Sequence, residues 1–181
     1  MKYLKGCLVI FLGFILTLVV IYFLYKNSVI SNLETRSNEV ELNWKNYAKS
    51  IKNRNAKLKQ KNILNDSLTY FINNSEKSVS NEFSTEFEFI EYKINQNLMI
   101  KNNGKEFDDK LNQNVEKYNQ SVRDYNTYRG TFPNFIIAKR AKFPKSFGYF
   151  DIIKYGVENQ NPKIKRKKVE DWIKNGGDYP K

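Results

Sequence analysis

The sequence predicts an all-α protein: an N-terminal transmembrane helix, then a long antiparallel three- or four-helix bundle, then an irregular basic C-terminal tail. Three observations predict it. Gly6 to Tyr25 carries no charge in a chain whose mean hydropathy is −0.66. Neither glycine nor proline occurs between Gly13 and Gly104, a stretch of 90 residues, and all four prolines fall in the last 49 positions. Between these limits, apolar residues recur at three- and four-residue steps, the spacing of a helix buried on one face.

Taken in order, residues 1–5 are a short basic flank and 6–25 the anchor. Twenty residues at about 1.5 Å each cross roughly 30 Å of hydrocarbon. Lys5 and Lys26 close the run and can snorkel, and Tyr3, Tyr22 and Tyr25 stand where an interfacial aromatic belt belongs. A cleaved signal peptide is the rival reading, but its apolar run is about 7–15 residues and ends at small residues. Here the run is longer and ends in Ile21-Tyr22-Phe23-Leu24-Tyr25. Cys7 lies at the start of the run, where a lipid-modified cysteine would follow it. As the only cysteine, it excludes an internal disulfide. Lys2 and Lys5 on one side nearly balance Lys26, Arg36 and Lys45 on the other, so the side of the soluble body stays open, with a lean towards an exported body.

The bundle is read over residues 28–141. In a first helix reaching about residue 60, Val29, Leu33, Ser37, Val40, Trp44, Tyr47, Ile51 and Leu58 draw one stripe, with a gap near Arg54 or Asn55. A second is expected over 63–101, with Phe83, Phe87, Ile90, Ile94 and Leu98, after a junction at Lys61-Asn62; Asn73-Asn74-Ser75 is a place where it could divide. Asn102-Asn103-Gly104 marks a stop. A third, over 105–131, carries Phe107, Leu111, Val115, Tyr118, Val122, Tyr125 and Phe132, with Arg129 in the remaining seam position. A short helix over 134–141 precedes the tail, residues 142–181. From Lys139 to Lys168 there are ten Lys or Arg against Asp151 and Glu158, a net of +8 out of +12 for the chain.

The third helix repeats at seven residues, the coiled-coil period: Tyr118-Asn119, Tyr125-Asn126, Phe132-Pro133. One aromatic every two turns faces a partner helix, with Asn at the seam edge; an aromatic core with polar flanks is the plainer reading. The stretch from Val115 to Asn134 resembles the C-terminal signature of the LemA family, a paired Tyr-Asn repeat leading into Phe-Pro. That family's aromatic-acidic ending is matched by Phe147-Gly148-Tyr149-Phe150-Asp151. Trp44, Asn46, Arg54 and Leu58 resemble its tryptophan-led helix. Lys59 and Gln60 stand where the family usually has Ile-Pro, the middle is rich in Asn, Ser and Phe, and the tail from Tyr155 onward reads as an addition. The resemblance implies a bacterial, single-pass protein of the cell envelope with a long helical bundle, and no transferable activity.

Chemistry is thinly represented. There is no histidine, which removes the commonest general base and metal ligand. The scattered glycines form no phosphate loop. No cofactor or metal is expected, and no catalytic residue. Glu82 and Glu86 could pair at i,i+4 near Glu88 and Glu91, and Asp108-Asp109 is a second acidic pair, but a solvated face explains both. The expected function is a non-catalytic scaffold whose partner is another membrane or envelope protein or a second copy, with Phe89, Tyr92 and Met99 as candidate exposed contacts. The alternative is an anionic-lipid contact through Lys163, Lys165, Arg166, Lys167 and Lys168, each basic residue near a charged leaflet contributing about 1 kcal/mol. Nucleic acid is the least favoured partner for the same charges.

Overall fold

The computed structural model describes residues 2–60, 65–79, 82–100, 109–152 and 154–176, with residues 2–10 by backbone alone. The Lys61-Asn62 junction, the Asn102-Asn103-Gly104 stop, Phe107, Asp108 and the side chains of Lys2, Tyr3, Lys5 and Cys7 lie outside this description. Among the described residues all regular structure is helical: α1 Lys2–Gln60, α2 Asp66–Ser78, α3 Thr85–Ile100, α4 Asp109–Gly130, α5 Asn134–Arg140 and α6 Pro162–Asn175.

One continuous helix, α1, contains both the apolar run and the first stripe of the bundle. Its 59 residues extend about 88 Å at 1.5 Å each. It holds the one stretch among the described residues long and apolar enough to cross a membrane. From Val29 the stripe turns inward as expected: Val29, Leu33, Val40, Trp44, Tyr47, Ile51 and Leu58 are all buried.

The second expected helix is two. Asn73-Asn74-Ser75 sits inside α2, and the chain instead breaks after Ser78. Ser84 starts α3 afresh, its hydroxyl accepting from the Phe87 amide at 3.1 Å. With α2 and α3 as a hairpin, four helices run alternately. Contacts fix the register of α4 and α5 against α1: Asn114 with Ser50, Trp44 with Tyr118 and Arg36 with Tyr128 for α4, and Tyr25 with Asn134 for α5. Thus α4 and α5 return to the level of α1 at which the apolar run stops. Phe132, expected in the seam, is 74% exposed, because α4 ends at Gly130 and the helical phase is lost before it.

The tail also departs from expectation. Residues 143–152 and 154–157 form a non-helical strap that climbs back along the groove between α3 and α4. Beyond it the basic segment is not irregular: Asn161 accepts from the Lys163 amide, Pro162 takes the first turn, and Gly176 ends α6 at φ 72°. This helix lies on α3 and covers residues the sequence reading left to a partner. Tyr92 is buried, and Phe89 is half-covered with the Lys163 ammonium 4.0 Å above its ring.

Candidate functional site

The heptad asparagines hold the strap. Asn119 donates its amide to the Phe150 carbonyl and accepts from the Phe150 N–H, both at 2.8 Å. Asn126 does the same for Phe147 at 3.0 and 2.9 Å. One further heptad back, Asn112 accepts from the Tyr155 amide at 2.8 Å. Asn95 on α3 closes the top, pairing with Gly156 N–H and Val157 C=O at 2.9 and 2.8 Å. A side-chain amide carries one donor and one acceptor side by side, so it can pair with a peptide unit as a neighbouring strand would. A non-helical segment packed on helices has no ladder of its own, and its buried polar groups need such partners.

The heptad tyrosines complete the clasp from the core side. Tyr118 donates to Gly148 C=O at 2.8 Å and Tyr125 to Pro144 C=O at 2.7 Å, where Arg129 also donates. Burial pushes the Tyr118 hydroxyl far above the ordinary phenol range and raises that of Tyr125, so both remain donors across all ordinary pH. Trp44 sits beneath, its ring centroid 5.1 Å from Tyr118 and 5.8 Å from Phe87. Phe150 reaches in from the strap to within 5.1 Å of Tyr47. The Phe132-Pro133 bond of the same motif is cis and leads into α5.

Above this aromatic layer lies a buried ion pair. Arg54 grips Glu91 with two bonds of 2.6 and 2.9 Å, the side chains 3% and 0% exposed. The remaining capacity is filled: Ser75 and Tyr155 donate to Glu91 at 2.6 and 2.9 Å, Asn55 accepts from Arg54, and Tyr47 and Tyr155 share a short hydroxyl contact. Burial lowers the Arg54 pKa, but Glu91 outweighs it and the net displacement is upward. Burial and the Glu91 charge push both tyrosine hydroxyls well up. The network joins α1, α2, α3 and the strap at one point.

A second buried acid, Glu88, receives the Asp151 amide in a short contact and the Arg166 guanidinium at 2.8 Å. Arg166 also meets Asp151 at 3.0 Å, and Lys165 pairs with Asp151 at 2.9 Å. Burial raises the Glu88 carboxyl, with the Asp151 amide and Arg166 opposing. Two of the five basic residues expected at a lipid surface are therefore paired to the bundle; Lys167 and Lys168 are exposed. Glu82 and Glu86, the acids singled out in sequence, are both exposed. Among the described residues no three His, Cys, Asp or Glu side chains gather as a metal ion requires.

Between α1 and the strap an open groove of about 910 Å³ is lined by Val40, Glu41, Lys45, Glu82, Phe83 and Ser146, with the edges of Trp44 and Tyr118 at its floor.

The sequence model of the LemA family matches residues 73–165, just over half of the chain, from the end of α2 into α6. Asn95, Asn112, Asn119 and Asn126, Glu88 and Glu91 and the whole strap fall inside it; Trp44 and Arg54 precede it. The match passes Tyr155, so residues 155–165 belong to the family pattern and are not an addition. Comparison with curated proteins found no match, and neither did comparison with solved structures.

Proposed function

The chain belongs to the LemA family, and from that premise we propose that it is a single-pass, membrane-anchored, non-catalytic scaffold of a bacterial envelope. One observation carries the reading. The repeated tyrosines and asparagines of the family signature, Tyr118, Asn119, Tyr125 and Asn126, are engaged with the strap, so the repeat serves to make a stiff body at the end of an unbroken helix. Such a body offers a partner a fixed surface, and the groove beside Glu41, Lys45 and Ser146 is the face on which a second envelope protein docks.

The alternative, anionic-lipid contact through the basic tail, is disfavoured by height. Glu88, which holds Arg166, neighbours Phe87, and Phe87 packs on Trp44. Trp44 lies nineteen residues beyond Tyr25 along α1, about 28 Å at 1.5 Å per residue. Surface charge is screened over about 8 Å at physiological salt, so Arg166 stands several screening lengths above the leaflet when α1 stands upright.

A photo-reactive residue at Glu41, in the full chain in carbonate-washed source membranes, tests both parts. We expect the chain in the membrane pellet and a discrete protein adduct. A chain released into the wash would refute the anchor. A retained chain that forms no protein adduct from Glu41 would refute docking at the groove.

A further inference from the structure

Every large apolar side chain exposed on α4, on α5 or in the turn joining them lies at one end of the bundle. Phe132, Phe135 and Ile136 are 74%, 42% and 38% exposed, and the two rings lie 6.3 Å apart. The opposite face of α5 is occupied, with Ile137 and Ala138 buried in the bundle core. A soluble surface has no use for such a cluster.

Its position identifies what covers it. Tyr25, the last residue of the uncharged run, donates its hydroxyl to Asn134 at 2.6 Å, and Asn134 donates in turn to the Tyr128 carbonyl at 3.0 Å. The α4–α5 corner is thereby tied to the residue at which the apolar run ends. Phe23 and Leu24 of that run are exposed as well. Charge follows the same gradient. No acidic residue occurs between Asp124 and Asp151, while Arg129, Lys139, Arg140, Lys142 and Lys145 do. Lys139, Arg140, Lys142 and Lys145 are exposed. Aromatic and aliphatic side chains beside a transmembrane helix, with cations one turn further out, fit the two layers of a bilayer interface.

We propose that the α4–α5 corner is a second membrane contact of this chain: Phe132, Phe135 and Ile136 enter the interface beside the anchor, and Lys139, Arg140 and Lys142 meet anionic headgroups. The contact rests on the anchor reading above. It fixes the lean of α1 and presses the turned end of the bundle onto the leaflet, at the opposite end of the strap from α6.

The test uses the full chain with Cys7→Ser, one copy per lipid nanodisc of phosphatidylcholine and phosphatidylglycerol. A polarity-sensitive fluorophore is placed singly at Phe135→Cys, Ile136→Cys, Leu16→Cys in the anchor or Leu42→Cys on the exposed face of α1 above it. Lipids bearing a nitroxide near the headgroup or in mid-chain are the quenchers, and circular dichroism confirms helix content for each variant. Positions 135 and 136 should be quenched several-fold more than 42 by the headgroup nitroxide, and 16 by the mid-chain one. In a separate chain labelled at 136, Lys139→Gln, Arg140→Gln and Lys142→Gln together should remove the difference between anionic and neutral discs. Quenching at 16 with 135 and 136 resembling 42 would overturn the contact and leave the anchor standing. No quenching at 16 would overturn the anchor itself. Shielding of 135 that appears only with two copies per disc would assign the corner to a second copy and overturn the proposal.

Discussion

Arg54→Met is the perturbation that probes the interior most directly. It removes both bonds to Glu91 while keeping the aliphatic stem in place. Glu91 keeps Ser75 and Tyr155 as donors but loses its only cation within 4.0 Å among the described residues. Two unit charges about 4 Å apart attract by about 4 kcal/mol at an effective dielectric constant near 20. Breaking one side of a buried pair costs about 3–5 kcal/mol by general experience, in agreement. For a body of this size that lowers Tm by about 6–20 °C. The assay is thermal unfolding of the full chain in detergent micelles, followed by near-ultraviolet circular dichroism, which reads the Trp44, Tyr47 and Tyr118 packing. Glu91→Met should cost a similar amount by stranding Arg54. The double variant strands neither charge, so its loss should fall at least about 2 kcal/mol short of the summed single losses. A loss under about 1 kcal/mol for Arg54→Met, or strict additivity in the double variant, would refute the reasoning.

Two further predictions follow from the strap. Burial holds the Glu88 carboxyl above its ordinary value of 4.5, so the folded chain binds that proton more tightly than the unfolded chain. This contribution is whole below 4.5 and is lost as pH rises through the folded value; urea midpoints should show wild type losing ground to Glu88→Gln as pH climbs from 4.5, and wild type gaining on the variant over that range would contradict it. A Cβ on Gly148 would clash with the Phe83 ring, so Gly148→Ala should cost about 1–3 kcal/mol and recover in part with Phe83→Leu; a neutral alanine in the same unfolding assay would show that the strap is not pressed on Phe83.

Much of this interior was legible because helical stripes are periodic. The first stripe predicted every buried apolar residue of α1 from Val29 to Leu58, and its one gap fell at Arg54 and Asn55, where the ion pair sits. A matching signal went unread. Phe87, Glu91, Ile94 and Leu98 share one face of α3, so an acid interrupts an apolar stripe there just as a base interrupts one in α1. Two interruptions of opposite charge are the signature of a buried pair. Glu82 and Glu86 drew attention instead because their i,i+4 spacing is local. The Tyr-Asn period was visible, but its purpose was not, since the partner is a strap about 20 to 40 residues further on with no period of its own. The sixth helix was hidden by charge density, although Asn161-Pro162 and Gly176 are ordinary start and stop signals.

The unbroken course of α1 has a consequence for how the two ends of the molecule address each other. A hydrogen-bonded rod has no swivel, so the faces of the apolar run before Tyr25 and the face that the groove shows beyond it share a single rotational phase. Each residue inserted between Tyr25 and Val29 would turn one against the other by about 100° and lift it by about 1.5 Å. The spacing between the two segments is thus a compass setting: with the apolar run in a bilayer, as proposed above, it determines the direction along the membrane plane in which the body looks, and any torque on that run arrives in the aromatic layer around Trp44 without a joint to absorb it.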